Sequence, residues 1–182
     1  MFVSVALVVN NASANDFRGV SWGATPSQVK KSEKLKIYAE DTKSIAYKTT
    51  MANIKFYILY VFHEGRLVAA MYSNGESHTN KNDYISDFEK IKELLQKKYG
   101  VPSQEEQFWS NDLYKDEPSE WGMAVSVGHM KYIASWDDDN RTSVGTTLRG
   151  DNFKISHVIL YQEKASQLLL DKKEESSILE QL

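Results

Sequence analysis

The chain has 182 residues, 22 Lys plus Arg against 25 Asp plus Glu, and a formal net charge of -3. It offers no surplus of positive potential for a nucleic-acid backbone, so nucleic acid is not an expected partner. With no Cys, disulfides, thiolate nucleophiles, Cys-ligated zinc and attachment through a lipidated Cys are all excluded. The length suffices to bury roughly two thirds of the extended surface without covalent staples, and ten Tyr, seven Phe and four Trp tilt the composition towards sheet.

The N-terminal residues read as a secretory signal peptide over 1–14. Phe2 to Val9 (FVSVALVV) is an apolar run, and Ala12-Ser13-Ala14 is a small-x-small processing pattern before polar Asn15-Asp16. No Lys or Arg precedes the run, which departs from the usual pattern and leaves the true start codon open; a hydrophobic N-terminal strand is the alternative. The run is too short to span a bilayer, so the chain is expected to be periplasmic or secreted and not membrane-spanning.

Next comes a helix opener. Thr25 suits N-cap, Pro26 N1 and Gln28 the third helical position, which together make a capping box. Three strands are expected after this short helix: Ile45–Thr50, Ile54–Phe62 and Arg66–Ser73. The second has the strongest pattern, with Ile54, Phe56, Ile58, Tyr60 and Phe62 on one side and Lys55, Tyr57, Leu59 and Val61 on the other. Glu64-Gly65 marks a tight hairpin.

After a polar loop over Asn74–Asn82, the spacing predicts a long helix over Asp83–Tyr99. Tyr84, Phe88, Ile91 and Leu95 form its apolar stripe, widened by Ile85 and Leu94. Asn82 or Asp83 is the expected cap, and Asp87–Lys90, Glu89–Lys92 and Glu93–Lys97 the expected ion pairs. Gly100 and Pro102 stop the helix.

The second half reads as strands: Glu106–Ser110, Trp121–Val127, Tyr132–Trp136, Thr142–Leu148 and Phe153–Tyr161. A polar excursion over Asn111–Glu120 and turns at Asp137–Arg141 and Gly150–Asn152 separate them. Residues 163–182 read as a C-terminal helix and tail. Strands that follow one another through short turns argue for an α+β fold, an antiparallel sheet with helices packed on one face. The order also suggests two helix-plus-meander units, 19–73 and 83–162, within one domain over 15–162.

Candidate chemistry is sparse. His63, His78, His129 and His157 have no helical metal spacing. Asp137-Asp138-Asp139 invites calcium, with Asp137 and Asp139 as a weak metal alternative. An EF-hand loop, however, needs Gly and Glu at its sixth and twelfth positions, and Thr142 and Leu148 stand there. No nucleophile elbow or glycine-rich phosphate loop appears, so no catalytic residue and no cofactor is assigned. The Lys30, Lys31, Lys34 and Lys36 cluster reads as a solvated face or, with Trp22, a contact for an anionic surface. Phe108, Trp109, Tyr114 and Trp121, set around a polar loop, form a candidate binding patch to which Trp22 is added; an ordinary core edge reads the same way.

The segment Gly19-Val20-Ser21-Trp22-Gly23-Ala24-Thr25-Pro26-Ser27-Gln28-Val29-Lys30 resembles a recurrent opener of small exported bacterial proteins, W-G-x-(S/T) followed by a short helix. More distantly, it is similar to helix-then-hairpin modules of outer-membrane-assembly lipoproteins and of β-lactamase inhibitor proteins. The resemblance implies a scaffold or binding role and brings no catalytic residues; the lipoproteins' N-terminal Cys is absent from this chain. The expectation is a non-catalytic exported binding or structural module of the bacterial envelope, whose partner is an envelope protein or a small ligand. The alternative is a small periplasmic hydrolase in which His129 or His157 is assembled beside a carboxylate such as Asp137.

Overall fold

The computed structural model describes residues 15–137 and 141–167. The leader 1–14, the tail from 168 on, and Asp138, Asp139 and Asn140 of the calcium alternative lie outside the described residues.

Helix α1 spans Pro26–Ser32. Its capping box is formed as the sequence predicts. The Thr25 hydroxyl accepts from the Gln28 amide at 3.3 Å, and Gln28 Oε1 accepts from the Thr25 amide at 2.8 Å. Four strands follow: β1 Ile37–Glu40, β2 Ser44–Met51, β3 Ile54–His63 and β4 Arg66–Asn74. Strand β1 was not expected from the pattern. It is short, exposed throughout and pairs only with β2, so neither face imposes a period on its residues.

Helix α2, Asn82–Tyr99, buries Phe88, Ile91 and Leu95. Beyond it lie β5 Gln104–Trp109, helix α3 Trp121–Ser126, β6 Met130–Trp136, β7 Thr142–Asp151 and β8 Lys154–Glu163. The eight strands form one antiparallel sheet in the order β1-β2-β3-β4-β8-β7-β6-β5. This agrees with an α+β reading dominated by antiparallel sheet. Among the described residues no helix is long and apolar enough to cross a membrane.

Three two-residue turns close hairpins by one device. Ala52-Asn53, Glu64-Gly65 and Asn152-Phe153 all have positive φ at both positions, between 49° and 72°. This conformation matches the right-handed twist of the flanking strands. It holds even for Phe153, which the sequence pattern placed in a strand and which is 61% exposed at the tip.

The inner face of the sheet is built from alternate strand residues. Ile45, Tyr47, Phe56, Ile58, Tyr60, Leu67, Trp136 and Ile159 join Val29 of α1 and Ile91 and Leu95 of α2 in one core cluster. Phe88, Ala124, Val125, Met130, Tyr132 and Leu148 form a second. His157 lies where the two meet, its ring 6.0 Å from Phe56 and 5.4 Å from Phe88.

Several expectations are corrected. Trp121–Val127 was expected as a strand, yet Trp121–Ser126 is helical and buries Gly122, Ala124, Val125 and Ser126. Its small residues allow close approach on two sides. A Cβ on Gly122 would lie 2.3 Å from the Lys81 carbonyl carbon, and one on Gly150 of β7 would lie 2.3 Å from the Val125 carbonyl oxygen. The α2 cap is also displaced: Lys81 is the N-cap, without a side-chain bond. Asn82 instead donates to Ser119 O at 2.9 Å and accepts from the Gly122 amide, tying α2 to α3. Leu94 is 40% exposed, outside the packed stripe. Glu89–Lys92 pairs as expected, but Asp87 turns to His78 and Lys90 donates to Ala52 O.

Candidate binding surfaces

The aromatic patch comes apart in the fold. Trp109 and Trp121 meet edge to face, their centroids 6.0 Å apart, and the Trp121 indole donates to Lys115 O at 3.1 Å. Tyr114 lies 5.7 Å from the His129 ring. All three residues are half-buried and pack against the second core cluster. Phe108 precedes Trp109 on β5 and therefore points to the opposite face, where it is 48% exposed with the Lys131 ammonium 4.7 Å from its ring centroid. Trp22 does not belong to the patch. It is 7% exposed, sits in the first core cluster and donates from its indole to the Thr142 hydroxyl at 3.0 Å. Trp109, Tyr114 and Trp121 thus form one aromatic corner over α3, Phe108 lies on the other side of the sheet, and Trp22 is interior.

The histidines have separate surroundings. His63 is exposed beside Glu64. His78 Nε2 lies 2.7 Å from Asp87 Oδ2, with the Tyr84 ring against it. His157 Nε2 lies 3.0 Å from the Thr146 hydroxyl, and burial pushes its pKa down to about 4, so the ring is neutral near pH 7. Asp137 pairs with Lys164 at 3.5 Å. Among the described residues neither His129 nor His157 forms an ion pair with a carboxylate. Among the described residues no group of three or more His, Asp or Glu could hold a metal ion.

A polar network that the sequence pattern did not reveal anchors the start of the fold. Glu33, at the C-cap of α1, accepts from Arg18 Nε at 2.8 Å, from Arg18 Nη2 at 3.1 Å and from the Tyr60 hydroxyl at 3.0 Å. Burial pushes the Glu33 carboxyl up, but the bonds from Arg18 and Tyr60 outweigh it and the net shift is downward. Burial, followed by the Glu33 charge, raises Tyr60. Nothing in local spacing links residues 18, 33 and 60.

The second face of the sheet carries two rows of residues that run across six strands. Strand register places Ala46, Leu59, Met71, Leu160, Gly145 and Ser135 in one row across β2, β3, β4, β8, β7 and β6. The next row runs Lys48, Tyr57, Ser73, Val158, Thr147 and Ile133. In the first row every residue is half-buried. Large apolar side chains in the middle strands are flanked by small ones. The sequence hinted at this face only through the second register of β3, Tyr57, Leu59 and Val61.

Comparison of the chain with family models, with curated proteins and with solved structures gave no match in any of the three.

Proposed function

We propose that the chain is a non-catalytic binding module that works outside the cytoplasm, in the bacterial envelope. In this reading, the leader over 1–14 directs export. The helices back one face of the sheet and leave the other for a partner protein. The two halves, α1 with β1–β4 and α2 with β5–β8, act as paired helix-plus-meander units joined where β4 meets β8. The observation that supports this reading most is the row Leu59, Met71 and Leu160. Three adjacent central strands present large apolar side chains on the face opposite the one that holds Val29, Phe88 and Ile91. A contiguous apolar patch with a polar surround is how association surfaces are built. The aromatic corner of Trp109, Tyr114 and Trp121 stays on the helix-backed side with the second core cluster, and Phe108 on the edge strand β5 is the one aromatic of that segment on the open face.

The experiment has two arms. Fractionation of cells expressing the full chain with a C-terminal tag should place a shortened product in the envelope fraction; an unprocessed chain in the cytoplasm refutes the export reading. Affinity capture from an envelope extract should recover a partner with the parent chain and lose it with Met71→Lys or Leu160→Lys. Both variants should keep the parent's circular dichroism. Equal recovery with and without the substitutions refutes the sheet-face reading.

A further inference from the structure

The exposed edge of the first half holds cations that form no ion pair among the described residues. Lys48, on β2, projects over the ring of Tyr38 at 4.0 Å from its centroid and lies 5.6 Å from that of Tyr57. The two rings pack at 5.2 Å with a 41° tilt. Lys48, Thr50, Tyr57 and Leu35 line a hollow of ≈ 430 Å³, and Lys36, Tyr38 and Lys48 line an adjoining one of ≈ 480 Å³.

The neighbouring carboxylates are engaged elsewhere. Glu40 pairs with Lys30 at 2.6 Å, and Glu76 holds both the Lys55 ammonium and the Lys55 amide. Among the described residues Lys36 and Lys48 form no ion pair. An aromatic face orients an ammonium without cancelling its charge. Lys48 is thereby held in place with its charge still available, in a chain whose net charge is negative.

We propose that the two hollows, which share Lys48, together bind a phosphate ester, its phosphoryl group taken by Lys48 and Lys36 and its carbon body resting on Tyr38 and Tyr57. Two ammonium groups call for about two negative charges, which a phosphate monoester carries near pH 7. Lys acts as a point charge suited to a tetrahedral oxyanion, whereas a planar carboxylate is better matched by the Arg fork. Tyr38, 55% exposed, offers apolar ring surface beside the charge. The site lies at the edge of the same sheet face, in the row of Lys48 and Tyr57, but it concerns a small anion and its test is separate from that of the sheet-face reading, because Met71 and Leu160 line neither hollow.

The test is an NMR titration of the full chain, following backbone amides, with glucose 6-phosphate, inorganic phosphate and glucose, and with phosphatidylcholine vesicles with or without phosphatidic acid. The expected result is a saturable shift at Tyr38, Lys48 and Tyr57 with a phosphate-bearing probe and none with glucose. Lys48→Gln should weaken it about tenfold, as loss of one charge-assisted contact does. Lys97→Gln, an equal change of charge on α2, should leave it intact. Saturation with glucose 6-phosphate assigns the site to soluble esters. Binding only to vesicles that contain phosphatidic acid, again lost in Lys48→Gln, assigns it to a lipid headgroup. The proposal is overturned by the absence of any saturable response, by equal weakening in Lys97→Gln, or by a response to inorganic phosphate that Lys48→Gln does not change, which would mark an adventitious ion only.

Discussion

Gly122→Ala gives the sharpest test of how α3 is docked. In an isolated helix the change is favourable by about 1 kcal/mol, because Ala restricts the unfolded chain and propagates the helix better than Gly. Here the new methyl carbon would sit 2.3 Å from the Lys81 carbonyl carbon, 2.4 Å from the Asn82 nitrogen and 2.6 Å from Asn82 Oδ1. Two of these three atoms are main-chain atoms of the α2 entry and cannot rotate away. Restoring ordinary contact needs a shift of about 1 Å between α2 and α3, and overpacking of this kind costs about 3 kcal/mol at the upper end of its usual range. The net expectation is a loss of about 2 kcal/mol, the reverse of the helix-propensity effect. For a chain of this size that lowers Tm by about 4–8 °C. Urea denaturation followed by circular dichroism measures it, with a lower midpoint and an unchanged slope expected. A variant as stable as the parent, or more stable, would show that α3 does not meet α2 at this distance. Asn82→Ala should also be destabilising, since it releases the Gly122 amide and the Ser119 carbonyl from their shared partner.

Three further outcomes follow from the packing. His157 has a folded pKa of about 4 against an ordinary 6.5, so below pH 6.5 the unfolded chain takes up a proton that the folded chain refuses. Stability therefore falls as pH drops from 6.5 to 4, by about 3 kcal/mol at the lower limit. His157→Leu should flatten that part of the stability profile, and an unchanged profile would show that another group carries it. Glu33→Gln should destabilise by about 2 kcal/mol, because it removes the charge and replaces one of the two oxygens that accept from Arg18 and the buried Tyr60 with an NH2 donor. Glu40→Gln, which breaks an exposed pair with Lys30, should stay within about 0.5 kcal/mol by the same urea titration. Trp22→Phe should cost about 1–2 kcal/mol, since the buried Thr142 hydroxyl loses the indole donor; a neutral outcome would refute the interior placement of Trp22.

Where local order dominates, the sequence was readable. The capping box of Thr25 and Gln28 depends on residues three apart, and it forms. The alternation in Ile54–Phe62 needs only a strand buried on one face, and that strand carries the predicted buried set. The stripe Phe88, Ile91 and Leu95 appeared at helical spacing because α2 has one buried side. Trp121–Val127 misled, because runs of small and apolar residues suit a buried strand and a buried short helix alike, and only the approach of Asn82 and Gly150 selects the helix. The aromatic patch misled for a related reason. Nearness along the chain cannot tell that strand alternation sends Phe108 and Trp109 to opposite faces, or that Trp22 reaches Thr142.

Backbone preference and side-chain period, which act over a few residues, decided the α1 start, the β3–β4 hairpin and the buried stripe of α2. Contacts between distant segments decided the rest. The row Leu59–Met71–Leu160 exists because β8 enters the sheet beside β4. The hollow around Lys48 exists because β1 folds back along β2 and brings Tyr38 over its side chain. Strand order and register carry no short-range signature, since each is set by which surfaces exclude water together once the whole sheet has formed.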